Sequence, residues 1–259
     1  MTTVTVSESA AHTRAAAPNR ILAVVRLHFV NPATTIVIPW MILGFIFLVN
    51  LAIWAIIFSA VSGEEDRANA QEGLNWSGAS FYIFVYMTIV AIQAINLTFP
   101  FAQGYSVTRR DFYLGTVIAF VLLSAMYAAG LTVLSLIEDA TDGWGLGGHM
   151  FTSVYFGVGD WYVRFGLFFT IFAFFFFLGA AFAAVYVRWR AVGMIALWAA
   201  ITLGIVAIIA LVTFTDSWPA VGTWFVDTGV NGVIAWTLVP TVVAAFAAYV
   251  VLRRATPRN

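Results

Sequence analysis

Apolar residues dominate six separate stretches of the chain, and shorter polar segments divide them. A membrane-spanning helix needs roughly 20 mostly apolar residues, because the hydrocarbon core is ~30 Å thick and a helix rises ~1.5 Å per residue. Each stretch reaches that length. The pattern predicts an all-α integral membrane protein with six transmembrane helices, at Ile36–Ala60, Phe81–Gln103, Phe112–Ile137, Phe165–Val187, Ala191–Phe214 and Asn231–Leu252.

The arginines predict the orientation of these helices. All but two of the twelve lie before the first stretch, after the last one, or in the second and fourth connections. Connections rich in arginine stay on the cytoplasmic side of a membrane. Ten of the twelve acidic residues lie in the first, third and fifth connections, which is consistent with the same boundaries. We therefore expect both termini in the cytoplasm and a multi-pass protein of the cell (plasma) membrane.

The composition agrees with a membrane protein, since 62% of the residues are hydrophobic and only 9% are charged. In soluble domains roughly a quarter of the residues are charged. The first residues are small and polar and lack the apolar core of a cleaved signal peptide. We predict a disordered cytoplasmic tail at residues 1–18 and a single six-helix transmembrane domain at residues 19–259.

Several kinds of chemistry are excluded by residues that the chain lacks. It has no cysteine and no lysine, so it has no thiolate and no phosphate-binding Walker A lysine. We expect no enzyme activity from this chain alone and no cofactor or metal in it. Asp139 and Asp142 lack the rest of a calcium loop, and His149 lacks a second ligand nearby. The arginines form no continuous stripe, so nucleic acid is not an expected partner.

The segment Asn19–Val30 precedes the first span and has the pattern of a helix. Its apolar residues Ile21, Leu22, Val25 and Phe29 lie along one stripe, and Arg20, Arg26 and His28 lie off it. One interpretation is an interfacial helix in the inner headgroup layer. The other is a plain juxtamembrane segment whose arginines are held by anionic membrane lipids.

The connection between the second and third spans is short and basic. Thr108 is placed to cap the third helix, with Asp111 three residues later in the first turn. Arg109 and Arg110 oppose the helix dipole at this end, so they need another reason to be there. Inner-leaflet lipid is one reason, and a protein partner on the cytoplasmic face is another.

This connection, GYSVTRRDFYLGT from Gly104 to Thr116, resembles the permease subunits of ABC-2-type transporters through its GxSxxRRDFxxGT pattern. The resemblance implies a six-span subunit in which an interfacial helix precedes the first span. It also implies that the link between spans two and three docks on a separate ATPase subunit. The docking residues would be Gly104, Tyr105, Ser106, Thr108, Arg109, Arg110, Asp111 and Phe112.

The resemblance further implies the partners. ATP and magnesium would bind ABC ATPase subunits, and a second permease chain, identical or paralogous, would complete the pathway. One departure concerns the outer side, where the family commonly places a structured element between spans five and six. Here that connection, Thr215–Val230, is short. A small re-entrant piece remains as the expected structured element, formed by Trp218, Pro219 and Thr223 to Phe225.

Few polar side chains lie inside the predicted spans. Asn50, Gln93 and Asn96 are the deepest, and no charged residue lies near the middle of any span. The three amides either face a translocation path or join helices by hydrogen bonds. The phenylalanines of the fourth span form core and lipid contacts or an apolar wall for a lipophilic cargo. The missing charges speak against a proton-coupled secondary transporter.

These features together predict the permease subunit of an ABC transporter. We expect an exporter of an apolar or amphipathic substrate, driven by its ATPase partner. A non-catalytic membrane scaffold or assembly protein is the alternative, followed by a secondary transporter.

Overall fold

The computed structural model describes residues 20–157 and 159–255. Within these residues every regular element is a helix, so the predicted all-α fold class is confirmed. The predicted tail at residues 1–18 lies outside the described residues. The α-helices are α1 Arg20–His28, α2 Ile38–Ala60, α3 Glu64–Leu74, α4 Tyr82–Gly104, α5 Arg109–Ala140, α6 Trp161–Phe214 and α7 Trp218–Arg253, and a π-helical turn, Ala33–Val37, leads into α2.

In the described part of the chain, five helical stretches are long and apolar enough to cross a membrane. They contain α2, α4, α5, α6 and α7. The helix α6 has 54 residues, which corresponds to roughly 80 Å and exceeds any bilayer. It is interrupted at Arg190, whose φ of 57° and ψ of −145° are not helical. The interruption falls between the predicted runs Phe165–Val187 and Ala191–Phe214.

A second interruption divides α7 at Gly229, where φ is 59° and ψ is −176°. Glycine tolerates this backbone conformation because it has no Cβ. The rings of Trp224 and Trp236 lie 5.7 Å apart across the interruption. Twelve residues of straight helix would separate them by roughly 18 Å. The segment before Gly229 therefore folds back towards the segment after it.

The core lies where α4, α5 and the first half of α6 meet. Phe172 of α6 packs 4.8 Å from Phe84 of α4, and Phe176 packs 5.0 Å from Phe120 of α5. A side chain on Gly179 would come within 2.6 Å of the Thr88 carbonyl oxygen, so glycine permits the close contact of α6 with α4. Phe168, Phe172 and Phe176 are buried, which confirms the core role for this part of the phenylalanine run.

The start of α2 is fastened by two tyrosines. Pro39 has no N–H, so the carbonyl oxygen of Thr35 lacks its usual helical partner. The hydroxyl of Tyr127 on α5 donates to that oxygen at 2.6 Å. The hydroxyl of Tyr82 on α4 donates to the carbonyl oxygen of Pro39. The ring of Trp40 also stacks on Tyr127 at 5.5 Å. These contacts tie α2 to both α4 and α5.

The buried carboxylate of Glu138 organises the loop between α5 and α6. Its oxygens accept hydrogen bonds from the indole N–H of Trp144 at 2.8 Å and from the backbone N–H groups of Met150, Phe151 and Thr152 at 2.7 to 3.1 Å. The hydroxyl of Thr152 donates as well, at 2.6 Å. Glu138 is completely buried. One side chain therefore satisfies donors across the loop.

The helix α3 packs beside this loop. The backbone N–H of Val154 donates to the carbonyl oxygen of Asn75 at 3.0 Å. The first connection was predicted only as a loop, and the structure corrects this. Glu64, Glu65 and Asp66 lie in the first turn of α3, where carboxylates are stabilised by the helix dipole.

Charged residues lie at opposite ends of the helices. The helix α5 begins with Arg109 and Arg110 and ends after Glu138 and Asp139, roughly 45 Å away. We call the region around the start of α5, with α1 and the end of α7, the arginine-rich end. The region around the end of α5, with α3 and the following loop, is the acid-rich end.

Candidate functional site at the arginine-rich end

The helix α1 packs directly on the first turns of α5. A side chain on Gly115 would come within 2.6 Å of the Val24 Cβ and 2.9 Å of the Ile21 carbonyl oxygen. Only glycine leaves room for this approach. Val24 is buried by the contact. Gly115, the second glycine of the GxSxxRRDFxxGT pattern, thus permits the short distance between α1 and α5.

His28 makes the second contact between these helices. Its Nε2 lies 2.9 Å from the Thr116 hydroxyl oxygen, and the Thr116 hydroxyl donates to the Phe112 carbonyl oxygen at 2.9 Å. Because that hydroxyl proton is already used, His28 Nε2–H must be the donor. Nδ1 is then an acceptor, and it is buried without a partner. Burial between the rings of Phe112 and Phe120 lowers the pKa of His28 to about 4, so its imidazole is neutral.

The structure shows which side of α1 packs on α5. Val24 and His28 form the buried side against α5, whereas the predicted stripe consisted of Ile21, Leu22, Val25 and Phe29. Leu22, in the stripe, is 51% exposed. The packed side and the predicted stripe are thus different sides of α1, and the contact of the stripe with the membrane stays a prediction.

The link from Gly104 to Val107 is a tight turn. Ser106 has a positive φ of 58°, and the N–H of Val107 donates back to the Ala102 carbonyl oxygen at 3.2 Å. The amide of Gln103 donates to the Val107 carbonyl oxygen at 3.1 Å. Tyr105 stands out from the turn with 72% of its surface exposed. The turn is therefore held by its own backbone and by Gln103, and the exposed ring of Tyr105 lies 4.8 Å from that of Phe101.

The start of α5 is capped as the sequence predicted. The Thr108 hydroxyl oxygen accepts a hydrogen bond from the N–H of Asp111 at 3.1 Å. This bond satisfies one of the N–H groups that lack a partner in the first turn. The link and α5 therefore form one continuous unit.

The two adjacent arginines have different surroundings. The guanidinium of Arg109 donates to the carbonyl oxygen of Arg253 at the end of α7, at 2.8 Å. A cation at a helix C-terminus is favourable, because it meets the negative end of the dipole. Arg110 is exposed. Arg109 thus has an internal structural role, and Arg110 remains available at the surface.

A further contact joins α5 and α7 nearby. The Tyr113 hydroxyl donates to the carbonyl oxygen of Ala245 at 2.5 Å, and its ring lies 5.1 Å from that of Tyr249. Tyr113 lies inside the resembling segment, but its contact with α7 was not predicted. The sequence alone does not show that this tyrosine is buried or that its hydroxyl donates to a carbonyl oxygen of another helix.

A groove of about 340 Å³ separates α1 from the link. Arg20, Ala23 and Leu27 form one wall, and Phe101, Tyr105 and Val107 form the other. The predicted interfacial helix and the predicted docking link are thus neighbours at one end of the molecule. An apolar groove with an arginine and a tyrosine at its edge is suited to accept an apolar side chain of another protein.

The predicted pathway residues do not form one cluster. The Asn50 amide donates to the Ile46 carbonyl oxygen of its own helix at 2.8 Å. Gln93 is exposed on α4, and the Asn96 carbonyl oxygen is buried without a hydrogen-bond partner. Within the described residues, neither Gln93 nor Asn96 forms the interhelical bond of the alternative interpretation. Their role in a pathway stays a prediction.

The described residues contain no group of three or more His, Cys, Asp or Glu side chains placed to hold a metal ion. His149 instead lies with Nδ1 2.9 Å from the Thr152 hydroxyl oxygen. Comparison of the chain with protein-family models, with characterised proteins and with solved structures finds no match.

Proposed function

We propose that this chain is the transmembrane permease subunit of an ABC transporter, an exporter driven by a separate ATPase subunit. One observation carries the proposal. The helix α1 and the link from Gly104 to Val107 border the same groove at the arginine-rich end. Both are joined to the helical core. A partner bound there has a direct mechanical connection to the long helices.

The proposed topology has six spans with both termini in the cytoplasm. The interruption at Arg190 supports two spans within α6, because each half then has a length suited to one crossing. Arg188 and Arg190 lie at this interruption, as expected for a cytoplasmic turn. The arginine-rich end would face the cytoplasm, where an ATPase subunit is available.

The contacts suggest how force would pass into the membrane. A push on the link moves α5 through the Thr108 cap, and a push on α1 moves α5 through Val24 and Gly115. Arg109 carries the same motion to α7 through the Arg253 carbonyl. The ATP state of the partner would shift the populations of two arrangements of these helices.

The ATP and magnesium would be held by the partner, since this chain has no lysine for a phosphate-binding loop. A second permease chain, identical or paralogous, would complete the pathway. The half of α6 after Arg190 offers a surface for it. Val192, Ile208 and Phe214 on this half are all strongly exposed. A helix that is apolar all round requires lipid or another protein around it.

The cargo we propose is apolar or amphipathic. Among the described residues the one buried carboxylate, Glu138, is fully occupied by the loop at the acid-rich end. A strongly ionic cargo would therefore find no compensating charge along the spans of this chain, and its desolvation costs several kcal/mol.

Site-specific cross-linking tests the proposed docking face. A photoreactive amino acid at Tyr105 should capture a protein that carries a Walker A motif in native membranes. The same amino acid at Trp76, an exposed aromatic residue beyond α3 at the acid-rich end, is the matched control. Capture of such a protein from Trp76 but not from Tyr105 would contradict the proposed orientation and docking face. Capture of only non-ATPase membrane proteins from Tyr105 would favour the scaffold function instead.

A further inference from the structure

A second cavity, separate from the groove beside the link, lies where the turn between α1 and α2 meets α4. Its volume is about 300 Å³, which is at the lower limit of small-molecule sites. The turn contributes Asn31, Thr34 and Thr35, and α4 contributes Gln93 and Thr98. The wall is thus rich in uncharged polar groups, although the surrounding helices are apolar.

Several of these groups have hydrogen-bonding capacity that the protein does not use. The side chains of Asn31, Thr34 and Gln93 make no hydrogen bond with another described residue. Thr35 and Thr98 are occupied, because their hydroxyls donate to the carbonyl oxygens of Asn31 and Ala94. The free groups are two amides and one hydroxyl around one cavity.

His28 also belongs to the wall. It is 94% buried, Nε2 is occupied by Thr116, and Nδ1 has no partner. A buried polar atom without a partner costs free energy unless a ligand or water satisfies it. This nitrogen is shielded from the cavity, so the polar character of the wall comes from Asn31, Thr34 and Gln93.

The charge and shape of the cavity define the class of occupant. No acidic or basic side chain of the described residues lines it apart from the neutral His28. A charged group would therefore be desolvated without compensation. Val30 and Leu97 at the rim are 72% and 73% exposed and form an apolar border.

We propose that this cavity binds an uncharged membrane amphiphile whose headgroup carries hydroxyl or amide groups. The headgroup would lie against Asn31, Thr34 and Gln93, and the tail would run over Val30 and Leu97. The proposal does not depend on an ATPase partner, so its failure and the failure of the proposed function are separate results.

Photolabelling of the full chain in phosphatidylcholine nanodiscs tests the site. Two diazirine lipids with the same acyl chain are compared, an uncharged glucosyl diacylglycerol and an anionic phosphatidylglycerol. Labelled residues are mapped by mass spectrometry. Labelling of residues 27–35 and 90–98 by the glucosyl probe should exceed that by the anionic probe at least about fivefold, because the phosphate charge would be desolvated without a compensating group. Equal labelling by both probes, or labelling spread evenly over the helices, would overturn the proposal.

Two variants examine the polar wall. Thr34→Val and Gln93→Leu should each lower glucosyl-probe labelling by about fivefold, because each removes one hydrogen bond. Asn50→Leu is the matched control, since the Asn50 amide bonds its own helix outside the cavity, and labelling should not change. Unchanged labelling in both wall variants would overturn the proposal. The probe comparison uses the unmodified chain and stays decisive if a variant does not fold.

A competition experiment identifies the source of the ligand. Excess unlabelled glucosyl diacylglycerol should displace the probe, whereas free glucose should not, because it lacks a tail for Val30 and Leu97. Displacement by glucose at similar concentrations would show a soluble ligand and would overturn the assignment to a membrane amphiphile.

Discussion

Arg109 donates a hydrogen bond to the main-chain carbonyl oxygen of Arg253, 2.8 Å away, and so fastens the start of α5 to the end of α7. This contact explains an arginine that opposes the dipole of its own helix, because the same cation is favourable for α7. Arg110 has no such internal role. The two neighbours should therefore behave differently when each is replaced.

Arg109→Ala should lower stability, and Arg110→Ala should leave it unchanged. The lost bond lies at the surface, so we expect a loss of about 0.5–1 kcal/mol for Arg109→Ala. Melting of the purified protein measures this difference. Arg67→Ala, on the exposed surface of α3, controls for the removal of an arginine. Equal melting temperatures for the Arg109 and Arg110 variants would contradict the assigned roles.

Gly115→Ala should separate α1 from α5. The added methyl group would lie 2.6 Å from the Val24 Cβ, and we expect a loss of about 1–3 kcal/mol from this overpacking. Gly44→Ala is the control, since nothing lies within 4 Å of its added methyl group. It should be neutral or stabilising by up to about 1 kcal/mol. Thermal melting of both variants decides the matter, and equal effects would show that α1 does not pack closely at Gly115.

The attachment of α1 should depend on pH through His28. Burial lowers its pKa from 6.5 to about 4. Between these pH values His28 is therefore neutral while α1 is packed on α5, and it binds a proton when α1 detaches. Stability is then independent of this group above pH 6.5, falls as the pH drops from 6.5 towards 4, and is constant below that. The loss at pH 4 amounts to about 3 kcal/mol. His28→Gln should remove this dependence. Hydrogen exchange of α1 at pH 7 and pH 5 measures it, and identical pH profiles for both proteins would refute the assignment.

Glu138→Gln should open the loop between α5 and α6. The amide NH₂ of glutamine would face backbone N–H donors, and we expect a loss of about 3 kcal/mol from the unsatisfied groups. Hydrogen exchange at Met150, Phe151 and Thr152 should accelerate. Asp139→Asn is the neighbouring control, because its ion pair with Arg164 is partly exposed and contributes at most about 1 kcal/mol. Slow exchange in the Glu138 variant would show that the loop is held by other contacts.

The long helices were predictable because length and hydropathy are determined by the membrane itself. The predicted start of the third span at Phe112, for example, lies within the first turn of α5. The helix α3 was missed because it is polar on all sides and has no apolar period. Its stability comes from its acidic first turn and its contacts with the loop, which are tertiary features.

The candidate site was predicted less completely. The pattern from Gly104 to Thr116 marked Thr108, Arg109 and Gly115. The cap by Thr108 is local and was predicted, but the partners of Gly115 and Arg109 lie on α1 and α7, distant in sequence. Arg253 was visible only as one of several C-terminal arginines. Such pairings depend on how helices pack, and periodicity within one helix does not contain that information.

The most direct test of the proposed function is ATP hydrolysis by the complex purified from native membranes through a tag on this chain. We expect stoichiometric co-purification of a subunit with a Walker A motif, together with ATP turnover. Arg110→Ala should weaken this association or uncouple turnover from transport, whereas Arg67→Ala should change neither. The chain freed of its partner should show no turnover, because it has no lysine. Purification without any ATPase subunit and without turnover, from membranes in which the chain is folded, would contradict the account.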